Sequence, residues 1–324
     1  MSDHATFSLA DSIVYDDGVF RPYHDVRLGL LTHALHYGTG CFEGIRGYWL
    51  PEYDELALLH LREHYQRLAA SARMLFMKLP HTVDELVEIT KELCRRNKFR
   101  HGIYLRPFLF KSLEAIGVRL HDIPERFALV AVPFARYIDA EGGLRVGTSG
   151  WRRVEDTMMP ARAKITGVYV NSALAKSEAI LAGFDEAIML SHDGHVAEGS
   201  AENLFVVKNG RVITPDPSQN ILEGITRQSI MTLLTNELGI EVVERAVDRT
   251  ELFHADELFF TGTAIGIEPI AEVDHRRIGN GTTPITTRLI SLYHDAVHGK
   301  LPTYQSWLTP VYRENLKTPS SIEP

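Results

Sequence analysis

Three short segments carry residues whose types and spacing suit one chemistry. Lys164 lies in Pro160-Ala161-Arg162-Ala163-Lys164-Ile165-Thr166-Gly167-Val168-Tyr169, an apolar, small-residue setting just ahead of a helix. Glu198 is followed by Gly199, Ser200 and Ala201, where the chain leaves one strand and crosses toward the next. Small neighbours there let a ligand ring approach the backbone, and a carboxylate could touch it. Glu223-Gly224-Ile225-Thr226-Arg227 opens another helix, and its first amides lack intrahelical partners and attract anions. A lysine that forms an imine and moves protons, a carboxylate and an anion-binding helix start are the parts a pyridoxal phosphate site requires. Each has a plain alternative when read singly: a solvated lysine, a strand-end glutamate facing water, a glycine-assisted helix entry.

The elements that must position these groups are legible in outline. Asp193-Gly194 and Asn209-Gly210 are hairpin dipeptides flanking the strand formers Leu204 to Val207, with Val212-Ile213 after the second turn. Earlier strands are predicted around Ser12 to Tyr15, Phe20 to Pro22, Cys41 to Leu50, Ile103 to Phe110 and Phe127 to Phe134, with a short helix near Leu30 to Leu35. Helical spacing runs from Leu61 to Phe76, and Thr82 with Glu85 forms a capping-box pattern for a helix to about Asn97. In the second half, Leu144 to Gly147 reads as a strand, and Asn171 or Ser172 could cap a helix that closes at Gly183. Thr226 to Leu238 is predicted helical with Gly239 as its stop, Glu257 to Thr261 as a strand, and Thr283-Pro284 starts a helix ended by Gly299. The expected organisation is a small N-terminal α/β domain over 1–134, a linker over 135–143 and a large domain over 144–324, with a mobile tail after about residue 312. Strands and helices mix in both halves, an α+β or mixed α/β architecture.

Bulk properties bound the function. The 324 residues are 44% hydrophobic and 23% charged, as in a soluble globular protein, and the net charge of −8 with no basic run argues against nucleic acid. The first sixteen residues hold Asp3, Asp11 and Asp16 and no signal-peptide core, and no apolar stretch of about 18 residues suits a membrane span. Two cysteines, Cys41 and Cys94, make no CxxC, so a reducing, cytoplasmic setting is expected. No nucleotide-binding, metalloprotease or nucleophile-elbow motif occurs, and no metal site is expected; His33 and His36 read as structural.

The three segments resemble the fold-type IV (class IV) aminotransferases, and more closely the branched-chain amino acid aminotransferases. The likeness includes His36-Tyr37-Gly38-Thr39-Gly40-Cys41-Phe42-Glu43-Gly44-Ile45-Arg46, Arg62-Glu63-His64-Tyr65-Gln66-Arg67-Leu68, Tyr104-Leu105-Arg106-Pro107 and Phe260-Thr261-Gly262-Thr263-Ala264. The resemblance implies the two-domain fold shared with D-amino acid aminotransferases, pyridoxal 5'-phosphate as cofactor, and a homodimer or an oligomer of dimers. It makes Lys164 the cofactor-bearing lysine, Glu198 the partner of the ring nitrogen in preference to Glu202, and Tyr169 the partner of the phenolic oxygen. Arg67, Gly224, Ile225, Thr226 and Thr263 would hold the phosphate, with Arg62 left to a solvated face or salt bridge. Tyr37, Phe42, Arg46, Tyr104, Phe134 and Tyr137 would line the substrate pocket. Arg106 would receive a glutamate side-chain carboxylate, and Thr263 and Ala264 the α-carboxylate. Val118 would lie on a loop reaching the partner subunit.

The implied reaction moves the amino group of leucine, isoleucine or valine to 2-oxoglutarate, in branched-chain amino acid biosynthesis. The chain departs from the family pattern at Lys111-Ser112-Leu113-Glu114-Ala115-Ile116-Gly117, where a glycine-rich, methionine-containing loop is usual, and at Phe134, where many relatives carry tryptophan. These departures leave D-amino acid or (R)-amine transamination open on the same fold, with aminodeoxychorismate lyase as a second rival. A non-catalytic binding protein would not need Lys164.

Overall fold

The computed structural model describes residues 7–134 and 142–316, which divide into two compact units. The first unit comprises residues 7–134, 163–167 and 295–316, and the second 142–162 and 168–294. The linker expected over 135–143 lies almost wholly outside the described residues. Where the sequence suggests one continuous domain from residue 144, two later segments instead group with the first unit.

The first unit is an eight-stranded antiparallel sheet built from β1 (Ile13–Asp16), β2 (Val19–Pro22), β3 (Gly40–Phe42), β4 (Ile45–Leu50), β5 (Glu55–Leu59), β6 (Ile103–Lys111), β7 (Glu125–Pro133) and the late strand Leu308–Pro310. The last strand lies on one edge and β2 on the other, with β6 between β4 and β7 near the centre. Along β6 burial alternates: Ile103, Leu105 and Leu109 are inside, whereas Tyr104 and Phe108 are half-buried and Arg106 exposed. That period of two is what a sheet with one covered face produces. Helix α1 (His33–Tyr37) precedes β3, and α2 (Leu61–Met74) and α3 (Val83–Asn97) lie between β5 and β6. Helix α2 buries Leu61, His64, Tyr65, Leu68, Ser71 and Ala72, one stripe at helical spacing. The capping box of α3 is present, with Thr82 Oγ1 accepting from the Glu85 amide and Glu85 Oε2 accepting from the Thr82 amide at 2.7 Å.

The second unit is a nine-stranded mixed sheet of β8 (Leu144–Thr148), β9 (Glu186–Leu190), β10 (Val196–Gly199), β11 (Asn203–Lys208), β12 (Arg211–Thr214), β13 (Val242–Glu244), β14 (Glu257–Gly262), β15 (Gly266–Val273) and β16 (Arg276–Arg277). Its order is β10-β9-β8-β15-β14-β11-β12-β13, with β16 on β15. The β11–β12 hairpin turns at Asn209 (φ 51°) and Gly210 (φ 72°), the paired left-handed residues that Asn-Gly supplies. Helix α4 (Tyr169–Leu181) lies between β8 and β9, α5 (Ile225–Leu238) between β12 and β13, and α6 (Pro284–Val297) starts at the expected proline. Helix α4 begins earlier than the capping residues suggest. Asn171 and Ser172 lie inside it, because a 3₁₀ turn over Thr166–Val168 feeds directly into the helix and no side chain caps it.

Candidate active site

Lys164 is positioned in the first unit by the chain around α1 and β3. Gly38 ends α1 at φ 63°, and a Cβ there would stand 2.7 Å from Gly167 Cα, so glycine lets two backbones touch. The Gly167 amide donates to Gly38 O at 3.0 Å, and Thr166 Oγ1 donates to Gly38 O at 2.7 Å. Cys41 and Ile165 form an antiparallel bridge, and the Phe42 amide donates to Lys164 O at 3.1 Å. The Lys164 backbone is thus an added strand fragment beside β3, with Nζ 5.2 Å from the centre of the Phe42 ring.

Arg106 lies over the same ring at 4.6 Å and over Tyr104 at 5.3 Å. Tyr104 meets Phe134 at 5.1 Å, and Arg46 covers Phe134 at 4.3 Å. Gly44 leaves room for the Tyr104 hydroxyl, which any side chain would displace. Phe42, Arg46, Tyr104, Arg106 and Phe134 therefore form one aromatic and cationic cluster with Lys164 at its side. The Tyr37 hydroxyl accepts from the Gly117 amide at 3.3 Å, and Val118, next to Gly117 in the chain, is exposed. Tyr137 lies outside the described residues.

Arg67 projects from α2 onto Glu43. Its Nε lies 2.7 Å from Oε1 and its Nη2 2.8 Å from Oε2, while His64 Nδ1 donates to Oε2 at 2.7 Å. Burial opposes ionisation of Glu43, but the Arg67 charge and the donated hydrogen bonds outweigh it and hold the carboxyl far below its ordinary range. Burial lowers the His64 pKa in turn. Arg62, on the same helix, is exposed and pairs with Asp84.

In the second unit Glu198 is buried on β10, which carries a register irregularity between Val196 and Glu198. Its Oε1 lies 2.8 Å from Arg153 Nε, and Oε2 accepts from Asn203 Nδ2 at 3.0 Å and the Leu222 amide at 3.1 Å. A guanidinium and two donated hydrogen bonds thus partner both oxygens of this buried carboxylate. Asn203 also donates to Leu222 O at 2.9 Å, and its Oδ1 fills the space a Cβ on Gly224 would need. One asparagine thus ties Glu198 to the start of α5. There Gly224 is the N-cap with no side-chain capping bond, so the helix amides are not closed off by their own chain. Thr226 is buried in the first turn. Thr263 and Ala264 occupy the turn joining β14 to β15, and Tyr169 is the first residue of α4.

A family model described as Amino-transferase class IV matches residues 40–273. The chain belongs to the class IV aminotransferases. It is 48% identical, over 94% of this chain and 98% of the relative, to a probable branched-chain-amino-acid aminotransferase of Aquifex aeolicus. Among solved structures, a branched-chain aminotransferase of Thermoproteus uzoniensis with norvaline superimposes with a TM-score of 0.89 at 41% identity, covering 93% of this chain and 99% of that one. A branched-chain amino acid aminotransferase of Thermobaculum terrenum in its PLP-form also gives 0.89, at 34% identity over 94% of this chain and 100% of that one. The expected type IV fold class holds.

The residues present fit the class IV cofactor. A buried carboxylate at Glu198 suits a protonated ring nitrogen, and the uncapped start of α5 suits a phosphate. Sequence reading passed over four residues that hold these groups: Glu43, His64, Arg153 and Asn203. Glu43, His64 and Asn203 stand inside or beside the quoted motifs, where a polar residue next to glycine or in a strand was the available signal. Arg153 lies in an irregular stretch with none. Among the described residues no helix is long and apolar enough to cross a membrane, and no group of three His, Cys, Asp or Glu could hold a metal.

Proposed function

We propose that this class IV aminotransferase binds pyridoxal 5'-phosphate and transfers the amino group of L-leucine, L-isoleucine or L-valine to 2-oxoglutarate. The observation that carries the reading is the buried Glu198 carboxylate, paired with Arg153 and tied through Asn203 to the anion-ready start of α5. The names of the relatives supply the substrate class. When bound, the cofactor supplies an aldehyde carbon to carry the amine and a ring that accepts electron density.

Lys164 would hold the cofactor through Nζ and, once released, would serve as the base that takes the substrate Cα proton and as the acid that gives a proton back. Glu198 would hold a proton on the ring nitrogen. Tyr169 would donate to the phenolic oxygen. Arg67, oriented by Glu43, is one group that would hold the phosphate, and the Gly224 to Thr226 segment and Thr263 are the others. The Thr263 and Ala264 amides orient the α-carboxylate. Arg106 receives the second carboxylate of glutamate and 2-oxoglutarate, and Phe42, Tyr104 and Phe134 exclude water from an aliphatic side chain.

Two chains are proposed to associate, with the 111–118 loop of one reaching the pocket of the other; exposed Leu30, Leu35, Ile116 and Val118 support this. The enzyme is assigned to the cytoplasm. Half-reactions of the cofactor-loaded protein with L-leucine, D-alanine and (R)-1-phenylethylamine test the substrate class, and L-leucine should react fastest. A preference for D-alanine or the amine would move the chain to another branch of the fold. Borohydride reduction and peptide mapping should place the pyridoxyl label on Lys164; recovery on another lysine would refute the site.

A further inference from the structure

Three carboxyl groups are buried together in the second unit, and among the described residues only two have a cation. Lys176 Nζ lies 2.5 Å from Glu186 Oε2, and Arg153 Nε lies 2.8 Å from Glu198 Oε1. Lys176 is thereby committed to Glu186. Glu202 is buried as they are, and the hydrogen bond it accepts comes from the Ala201 amide at 3.0 Å. The charged groups acting on it are Glu186 from β9, Lys176 from α4 and Glu198 from β10, with both cations already engaged. An unpaired charge in such surroundings is costly, and the group takes up a proton instead. Burial first, and Glu186 second, push the Glu202 carboxyl up to about 8.

Gly199 admits this side chain, and Gly262 stands in ordinary contact with it. A Cβ on Gly199 would stand 2.9 Å from Glu202 Oε2, and one on Gly262 would stand 3.7 Å from Glu202 Cγ. Gly199 ends β10, and Gly262 ends β14 just before the turn that carries Thr263 and Ala264. The Glu202 side chain therefore runs between the strand that bears Glu198, where its carboxyl meets Gly199, and the root of that turn, where its Cγ lies beside Gly262.

We propose that Glu202 is held as a neutral carboxylic acid that positions the Gly262–Ala264 turn, and that its ionisation weakens binding of carboxylate substrates at the turn. The first half stands on the geometry alone; the second rests on the proposed function, in which the turn amides receive the substrate α-carboxylate. An ionised Glu202 would add a charge that no described cation balances. It would repel Glu198, Glu186 and an incoming anion alike.

The effect on stability has a definite sign. The native carboxyl titrates above its ordinary value of 4.5, so its contribution is complete below that pH and is lost as pH rises toward about 8. Cofactor-free wild type should lose melting temperature over that interval more steeply than Glu202→Gln, which keeps the neutral shape and the acceptor for Ala201. In the loaded enzyme, KM for L-leucine and 2-oxoglutarate should rise roughly tenfold from about pH 7 to about pH 9 while kcat changes little, and the rise should vanish in Glu202→Gln. Infrared titration of wild type should show a buried protonated-carboxyl band disappearing over the same range, a readout that stands if the variant fails to fold. Parallel melting profiles, or no protonated band at neutral pH, would overturn the neutral-acid assignment. A steeper wild-type melting profile with a KM trend unchanged by the substitution would overturn the positioning role. A wild type that transaminates none of these substrates contradicts the proposed function instead, and the melting and infrared arms still decide the charge state.

Discussion

Glu198 and Glu202 are one residue type four positions apart, and their surroundings treat a negative charge in opposite ways. Arg153, Asn203 and the Leu222 amide stabilise charge on Glu198, whereas Glu202 faces Glu186 and a single amide donor. Replacing Glu198 by glutamine should leave cofactor bound and slow single-turnover transamination about 100-fold or more, since the charge at the ring nitrogen is lost. A rate within a few-fold of wild type would move that role to another residue. Arg106→Leu should cost glutamate and 2-oxoglutarate about 2–3 kcal/mol in half-reaction kinetics and leucine far less, because only the dicarboxylates bring a second anion to it. Equal losses would make Arg106 structural. Glu43→Gln removes the charge shared by Arg67 and His64, a buried set whose disruption is worth about 3–5 kcal/mol. Chemical unfolding should register that loss, together with weaker cofactor affinity as the Arg67 fork loses its orientation.

Local chemistry decides some elements and not others. The start of α3 is written into Thr82 and Glu85, which need only each other, and Thr82→Ala should destabilise the protein by about 1 kcal/mol in denaturant unfolding. A change below a few tenths would mean the cap is replaced by water. The start of α4 is not legible in the same way. Its entry is a 3₁₀ turn whose geometry follows from Thr166 and Gly167 hydrogen-bonding back to Gly38 and Gly40, more than 100 positions away in the chain. Asn171 looks like a cap from its neighbours and instead donates to Arg152 O from within the helix. Strand β6 is legible as a strand from its alternation, which also sets Tyr104, Arg106 and Phe108 on its more open face.

For the molecule as a whole, association is the open variable that the surface makes testable. Leu28, Leu30, Leu35, Ile116 and Val118 are all exposed large apolar residues of the first unit, and the Thr32–Glu114 bridge joins the two segments that carry them. Light scattering should find at least a dimer, and Leu30→Glu with Ile116→Glu should shift it toward monomer and lower activity together. A fully active monomer at assay concentration would end the shared-pocket proposal. Cys41 and Cys94 are buried, and burial pushes the Cys41 thiol up to about 12. Neither thiol should react with a disulfide reagent in the native protein, and both should react once it is unfolded.

The sequence by itself determined the residue types of the chemistry, the local caps and turns, and the family pattern that gathers them. These depend on neighbours within a few positions or on motif strings, and both survive in one dimension. Tertiary structure alone decided which charges survive burial. Arg153 reaches Glu198 across an irregular segment, Lys176 is drawn to Glu186, and Glu202 is left without a cation among the described residues. A carboxyl's charge state depends on its desolvation and on which cation shares its space, and neither distance is written in the order of residues.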